Sequence, residues 1–243
     1  MRILVLSDVH ANLTALEAVL ADAAGQYDTA WNLGDTVGYG PDPAAVWQRL
    51  NDICAIQLGG NHDLAATTLA GIDTFNPAAR AAALWTHDQL TAEMITDLSH
   101  RPGRLDVDDV VIAHGSPRDP FHEYVLDEVT AMKNLEHVAT ELCLVGHSHV
   151  AFAAIIRPGG KLPAISPLLA GEELDLGVGR ILANPGSVGQ PRDGDPRAAY
   201  AILDTERGVL TPRRVPYDIP AVQARMRAAG LPDRLVARLE VGR

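Results

Sequence analysis

The first 24 residues, MRILVLSDVHANLTALEAVLADAA, predict a strand followed by a helix. The apolar run Ile3–Leu6 is typical of a strand that is buried on both faces. Apolar residues then recur at helical spacing through NLTALEAVLADAA, and Asn12 is a suitable N-cap for that helix. Asp8 and His10 therefore lie between a strand end and a helix start, which is where open α/β sheets place ligand sites.

The same alternation of strand, polar cluster and helix continues along the first half of the chain. It is visible in four stretches: the predicted strands TAWNLGD (29–35) and CAIQLGG (54–60), the helix PDPAAVWQRLND (41–52), and one or two alanine-rich helices in residues 76–98. Asn76 is suited to cap the last of these, with Pro77 at the first helical position. From residue 105 onward strands dominate, and EVTAMKNLEHVAT (128–140) predicts one more helix. We therefore expect an α/β protein.

The second half of the chain predicts further strands and a helical end. The segments GRILANPGSVG (179–189) and AAYAILDTERGVLTPRRVPY (198–217) are strand-like, and the latter predicts a hairpin that turns near Glu206–Gly208. These strands alternate more between apolar and polar residues, which predicts a second sheet packed against the first. Residues 218–243 predict two short amphipathic helices that cap the fold. No Gly-, Ser- or Pro-rich linker interrupts residues 1–243, so we expect a single domain.

Charge and cysteine usage exclude several classes of function. The net charge of −11 argues against a surface for long nucleic acids, because such a surface needs a basic stripe. The apolar run Ile3–Leu6 is too short for a signal peptide or a membrane span, so we expect a soluble cytoplasmic protein with no membrane partner. Cys54 and Cys143 lie within apolar runs, which favours reduced, buried thiols.

Histidines recur at predicted strand ends beside Asp, Asn or Gly. Five of the nine share this context: His10, His62, His114, His147 and His149. Asp35 occupies the same kind of position in NLGDTVGYG, whereas Asn61 and Asp63 taken alone could be turn residues. The repeated context predicts one shared site, and imidazole with carboxylate but no thiolate suits Mn, Fe, Ni, Co or Zn. The remaining histidines are expected to be ordinary surface or capping residues: His87, His100, His122 and His137.

Five motifs occur in a fixed order between Asp8 and His149: DVH, GD, GNHD, HG and GHSH. As a set they resemble the motifs of the calcineurin-like metallophosphoesterase superfamily. Three longer stretches up to about Tyr200 are similar to its small bacterial phosphodiesterase branch: DVHANLTAL, LGDTVGYGPDP and NPGSVGQPRDGDPRAAY. The resemblance implies a four-layer α/β/β/α sandwich, in which helices flank two facing mixed sheets and metal ions lie at the strand ends.

The same resemblance implies a role for each motif residue. Seven residues are expected to hold two divalent ions, with manganese preferred: Asp8, His10 and His149 on the first ion, Asn61, His114 and His147 on the second, and Asp35 on both. His62 is left free to protonate the leaving oxygen or to stabilise charge on phosphorus. Asp63 is expected to accept the ring N–H of His62 and to fix its tautomer.

The implied activity is hydrolysis of a small phosphate ester by a phosphodiesterase that uses a metal-bridging hydroxide for in-line attack. Three alternatives remain: a phosphomonoesterase or protein phosphatase, a dinucleoside polyphosphate hydrolase, and a non-catalytic scaffold of the same fold. His62 argues against the scaffold, because a scaffold needs no proton donor beside its metals. Loop residues Asn184 and Arg192 are expected to reach the substrate phosphate, and Tyr39 to line the pocket.

Overall fold

The computed structural model describes residues 1–243 and contains twelve strands. In chain order they are β1 (Arg2–Leu6), β2 (Thr29–Asn32), β3 (Cys54–Gln57), β4 (Arg104–Val107), β5 (Val110–Ala113), β6 (Leu142–Val145), β7 (Phe152–Ile156), β8 (Ala164–Pro167), β9 (Leu174–Asp175), β10 (Arg180–Asn184), β11 (Ala198–Asp204) and β12 (Val209–Val215). The α-helices are α1 (Leu13–Asp22), α2 (Pro43–Ile53), α3 (Asn61–Thr68), α4 (Pro77–Gln89), α5 (Ala92–His100), α6 (Glu128–Glu136), α7 (Ile219–Ala228) and α8 (Asp233–Ala237).

The strands form two six-stranded mixed sheets. The first sheet has the order β3-β2-β1-β11-β12-β9, and the second has the order β4-β5-β6-β10-β7-β8. In the first sheet β1, β2 and β3 run parallel, and in the second β5, β6 and β10 do so. Because parallel strands end at the same edge of a sheet, each sheet collects the loops that follow these strands at one edge.

Alternate residues of the central strands face opposite layers. In β1, Ile3 and Val5 lie in an apolar cluster shared by the two sheets, whereas Leu4 and Leu6 pack with Leu16 of α1. This follows from the two-residue period of a strand, which sends successive side chains to opposite faces. The second sheet is arranged in the same way, between the first sheet and α6. The result is the four-layer α/β/β/α sandwich that the resemblance implied.

The strands of the second half do not form a sheet of their own, so that prediction was wrong. β11 pairs antiparallel with β1 and with β12, and it lies in the middle of the first sheet. β10 pairs with β6 and β7 in the second sheet. The physical reason is visible in AAYAILD (198–204), where the first six residues are buried, because a central strand is covered on both faces.

The structure confirms the predicted N-caps of two helices. The Asn12 side chain accepts from the Ala15 amide at 3.1 Å, and Asn76 accepts from the Ala79 amide at 3.0 Å. Residues 76–98 form two helices, since the chain is extended after α4 and Thr91 caps α5. Helix α3 was not predicted, although it begins within the GNHD motif.

Two short helices were predicted at the C-terminal end, and α7 and α8 are found there. Val222 and Leu235 from these helices pack with Tyr39 in an apolar cluster that also includes residues of α4. Arg225 forms an ion pair with Asp42 at 3.0 Å, which ties α7 to the loop before α2. None of the helices is both long enough and apolar enough to cross a bilayer.

Candidate metal centre

Seven side chains that could bind a metal meet where the two sheets present their carboxyl edges. Each follows a strand: β1 is followed by Asp8 and His10, β2 by Asp35, β3 by Asn61, β5 by His114, and β6 by His147 and His149. All seven are buried, with at most 8% of their surface exposed. The seven predicted metal ligands therefore lie together at the carboxyl edges of the two sheets.

The backbone is strained at this place. Positive φ values between 49° and 64° occur at five of the seven residues, in a region that side chains other than glycine rarely adopt: Asp8, His10, Asp35, His147 and His149. Hydrogen bonds between loops hold this conformation, since the Asp8 amide donates to Gly34 O at 3.1 Å and the His10 amide donates to Asp35 O at 2.9 Å. Such strain costs about 1–3 kcal/mol per residue and concentrates at functional sites.

The ligand atoms form two groups that share Asp35. In the first group Asp8, His10, Asp35 and His149 bring their ligand atoms within 4.8 Å of one another, with the Nε2 atoms of His10 and His149 3.0 Å apart. The second group contains Asp35, His114 and His147. Asp35 Oδ2 lies 3.4 Å from His10 Nε2 and 3.5 Å from His114 Nε2, so one carboxylate faces both groups.

Asn61 adds an oxygen to the second group. Its Oδ1 atom lies 3.1 Å from His114 Nε2, while its position at the start of α3 keeps the side chain at the strand end. The structure therefore brings all seven predicted ligands together.

Backbone carbonyls fix the tautomer of three of the imidazoles. The Nδ1 atoms of His10, His114 and His149 lie 3.1, 3.0 and 2.6 Å from carbonyl oxygens of residues 37, 33 and 190. A carbonyl can only accept, so each Nδ1 carries the proton and each Nε2 turns a lone pair inward. Histidines that bind metals are held in this way by a partner on the second nitrogen.

Burial keeps these imidazoles neutral. It lowers the pKa of His10, His114 and His149, and it lowers the pKa of His147 to about 2. Neutral imidazole is the form that donates a lone pair to a metal ion. The four rings are therefore ready to bind a cation at neutral pH.

The donor set fits a pair of divalent cations. Burial, reinforced by the charges of Asp63 and Asp8, raises the pKa of Asp35 well above its usual range. Asp35 Oδ2 and His147 Nε2 are buried without any hydrogen-bond partner, which is costly unless a cation binds them. Oxygen and imidazole donors without thiolate suit borderline-to-hard divalent ions.

His62 lies against the centre without joining either group. Its ring centroid is 4.2 Å from that of Tyr39, 4.8 Å from Phe75 and 5.0 Å from His10. Burial lowers its pKa, and its Nδ1 atom has no partner. The backbone amide of His62 donates to Asp35 Oδ1 at 2.9 Å, so this residue also positions the shared carboxylate.

The prediction that Asp63 orients the His62 ring is wrong. The Asp63 carboxylate accepts three backbone N–H bonds, from Thr36 at 3.2 Å, Val37 at 2.9 Å and Gly60 at 3.0 Å. As the third residue of α3 it points back toward the helix start, as in a capping box, and away from the neighbouring ring. Asp63 thus holds the loop that carries Asp35.

Gly59 and Gly60 allow close packing and do not form a tight turn. Neither Gly59 nor Gly60 has a positive φ. A Cβ on Gly60 would overlap the Asp35 carboxylate, with Asp35 Cγ only 2.7 Å away. A Cβ on Gly59 would lie 2.9 Å from Arg101 O. These two positions let the chain pass directly behind the shared carboxylate.

A small pocket opens onto the centre. It has a volume of about 230 Å³ and exposes Asn61, His62 and His147 to solvent. Tyr39 forms part of its wall, as the sequence predicted, and its ring packs at a tilt against the His10 ring, with centroids 4.6 Å apart. A phosphate group could therefore reach the ligand groups and His62 through this opening.

Arg192 and Asn184, the two loop residues expected to bind phosphate, lie in different surroundings. The Arg192 guanidinium carbon lies 5.6 Å from the centre of the Tyr39 ring, and its charge contributes to the lowered pKa of His62. Asn184 was placed wrongly, because its amide is fully used inside the fold. It donates to Gly146 O at 2.6 Å and to Ser148 Oγ at 3.0 Å, and so it supports the loop that carries His147.

Comparison with known proteins agrees with this geometry. A family model described as the calcineurin-like phosphoesterase superfamily domain matches residues 1–208. The chain belongs to this superfamily. It is also 34% identical to an uncharacterised protein of Methanocaldococcus jannaschii, over 99% of this chain and 98% of that protein.

Two solved structures are similar to this chain over its whole length. The crystal structure of a metallophosphoesterase from Sphaerobacter thermophilus is similar, with 46% identity, a TM-score of 0.90, and coverage of 100% of this chain and 99% of that chain. A hypothetical protein from Pyrococcus horikoshii shares the fold at 22% identity, with a TM-score of 0.80 over 100% of this chain and 98% of that chain. Membership of the metallophosphoesterases implies a phosphoester hydrolase.

Six pocket residues lie outside the metallophosphoesterase motifs and were not predicted as site residues: Thr74, Phe75, Asn76, Ala79, His122 and Tyr124. Tyr124 stacks on the His147 ring with centroids 3.9 Å apart, and Phe75 and His122 also line the pocket. His122 is exposed, as predicted, and it also borders the pocket. The only signal in the sequence is that the loop holding His122 and Tyr124 follows a strand-end ligand, His114.

Proposed function

We propose that the chain is a phosphodiesterase that depends on two divalent metal ions, with a small phosphate ester as its substrate. The observation that carries this proposal is the sharing of Asp35 by two groups of inward-facing ligands, with His62 beside them and outside both. Two ions bound there would offset the charge of the phosphate oxygens and lower the pKa of a water molecule. Manganese is the ion we propose, because nitrogen and oxygen donors without sulfur suit it.

The chain's own residues have distinct tasks in this proposal. His62 lines the pocket, and its ring N–H would donate to the leaving oxygen. Arg192 stands over the Tyr39 ring and would bind a phosphate oxygen through its guanidinium.

The pocket wall favours a diester over a monoester. Its aromatic side chains, Tyr39, Phe75 and Tyr124, offer apolar contact to a second esterified group. We therefore expect a monoanionic diester to be bound better.

The test compares bis(p-nitrophenyl) phosphate with p-nitrophenyl phosphate after chelation and return of Mn²⁺. We expect metal-dependent turnover with a higher kcat/KM for the diester. Failure to hydrolyse any aryl phosphate ester would refute the proposal, and preference for the monoester would favour a phosphomonoesterase. Adding cyclic and dinucleoside phosphates to the panel would detect the dinucleoside polyphosphate hydrolase alternative.

We also propose a cytoplasmic location. Cys54 and Cys143 are free thiols, and burial raises the pKa of each to about 12. Free thiols are the usual state of cysteine in reducing compartments.

A further inference from the structure

A second, larger cavity adjoins the metal centre. It has a volume of about 610 Å³, and its wall includes Val150 and Ala151, which directly follow the ligand His149. Arg192 also lines it, and the Arg192 amide donates to His149 O at 3.1 Å. The cavity is therefore next to the centre along the chain and in space.

The walls of the cavity differ in chemistry. One side is apolar and contains Phe152, Ile165 and Leu168. The other side carries the ion pair of Arg197 with Asp195, at 2.6 Å. A ligand with one apolar face and one hydrogen-bonding edge matches this division.

Four arginines line the cavity, and two of them, Arg192 and Arg243, have no acidic partner. Arg197 pairs with Asp195 and Arg214 pairs with Asp193, so the positive charges of these two are neutralised within the protein. The Arg192 side chain instead donates to Gln190 Oε1 at 3.0 Å and lies over the Tyr39 ring. Its charge remains available to an anion between the metal centre and the cavity.

The two volumes suggest how a substrate divides between them. The pocket at the metal centre, about 230 Å³, is below the range of roughly 300–1,000 Å³ that is usual for ligand pockets. The adjoining cavity, about 610 Å³, lies within that range. A phosphate with a small group fits the first space, and a larger organic group needs the second.

We propose that the cavity binds one organic group of the diester, a group of nucleoside size, while the phosphate lies at the metal centre beside Arg192. The apolar wall contacts the flat face of this group, and Asp195 with Arg197 binds its polar edge. The inference rests on the proposed phosphodiesterase function, because it assigns the cavity to one of the two esterified groups.

The kinetic test uses two diesters that release the same leaving group. Thymidine 5′-(p-nitrophenyl) phosphate and methyl p-nitrophenyl phosphate differ only in the retained group, so the ratio of their kcat/KM values reports the contribution of that group. We expect the ratio to exceed one by roughly tenfold or more, as apolar pocket contacts give. A ratio near one would contradict the inference.

A cavity-filling variant tests whether this cavity is where the retained group raises kcat/KM. Ala170 is exposed in the cavity wall, so Ala170→Trp should fill the space without disturbing the core and should bring the ratio toward one. Ala45→Trp, on the exposed face of α2, introduces the same side chain elsewhere and should leave the ratio unchanged. If both variants behave alike, the cavity has no role.

A binding measurement separates this inference from the proposed function. Thymidine 5′-phosphate, measured by calorimetry, should bind the unsubstituted protein and lose roughly tenfold in affinity in Ala170→Trp. Absence of turnover with this binding pattern intact would refute the phosphodiesterase and keep the cavity assignment. Equal binding to both proteins, or none, would overturn the assignment. A dimer that Ala170→Trp disrupts, without nucleotide binding, would instead assign the cavity to an interface between copies.

Discussion

At the scale of single residues, His62 is the side chain that distinguishes an enzyme from a metal-binding scaffold. It lies in the pocket wall, outside both ligand groups. His62→Ala should retain both metal ions and lose turnover by roughly a hundred- to ten-thousand-fold, as expected for a general acid. Metal analysis and kcat on the same sample measure the two effects.

The control for this substitution is His100→Ala, which removes an exposed imidazole at the end of α5. It should change neither metal content nor kcat. Parallel loss of metal and activity in His62→Ala would show that His62 is a ligand, contrary to its assignment.

Asp63 has a structural role in this account and no direct part in the chemistry. Its carboxylate holds three backbone amides, two of them in the loop that carries Asp35. Asp63→Asn places an amide N–H₂ against those donors, so the free energy of unfolding should fall by about 2 kcal/mol or more. Metal affinity should fall as well, because Asp35 loses its support.

Denaturant unfolding and metal titration of Asp63→Asn test this role. If stability and metal affinity stay unchanged while only kcat falls, the original expectation of a residue that orients His62 is restored.

Among the elements, the passage from β3 into α3 determines how closely the chain at Gly60 can approach the shared carboxylate of Asp35. Gly60→Ala should displace Asp35 or α3, because the added Cβ would overlap the carboxylate. We expect loss of both metal ions, since Asp35 faces both ligand groups. Gly177→Ala is a matched control, because its Cβ would meet only Asp175 Oδ1, at 3.2 Å.

The metal content of the Gly60→Ala and Gly177→Ala proteins tests this prediction. A Gly60→Ala protein that still binds two ions would show that the close packing behind Asp35 is dispensable.

Elements were predictable from sequence where the signal is local. Caps at Asn12 and Asn76 depend on one side chain and the next turn of chain, so the sequence contains them. Helix α3 was missed because its residues carry ligand chemistry in place of an apolar stripe. The placement of β11 depends on which strands pair across the whole chain, and no local pattern encodes that.

At the scale of the whole molecule, the centre exists because loops from both sheets converge. Ordered motifs predicted the seven ligands, since each motif stays with its strand end. Tyr124 and the true role of Asn184 were not predictable, because their contacts with His147 and with the 146–148 loop arise only when the second sheet is assembled. The same convergence links the sheets through Asp35, so metal binding should stabilise the fold as a whole.

We propose that two ions bound by these loops make the chain a hydrolase. The most direct measurement titrates Mn²⁺ into the chelated protein and records bound metal and turnover of bis(p-nitrophenyl) phosphate in the same samples. We predict about two ions per chain, activity that reaches its plateau only with the second ion, and loss of both features in Asp35→Asn. Turnover that survives complete chelation, or saturation at a single ion with full activity, would contradict the account.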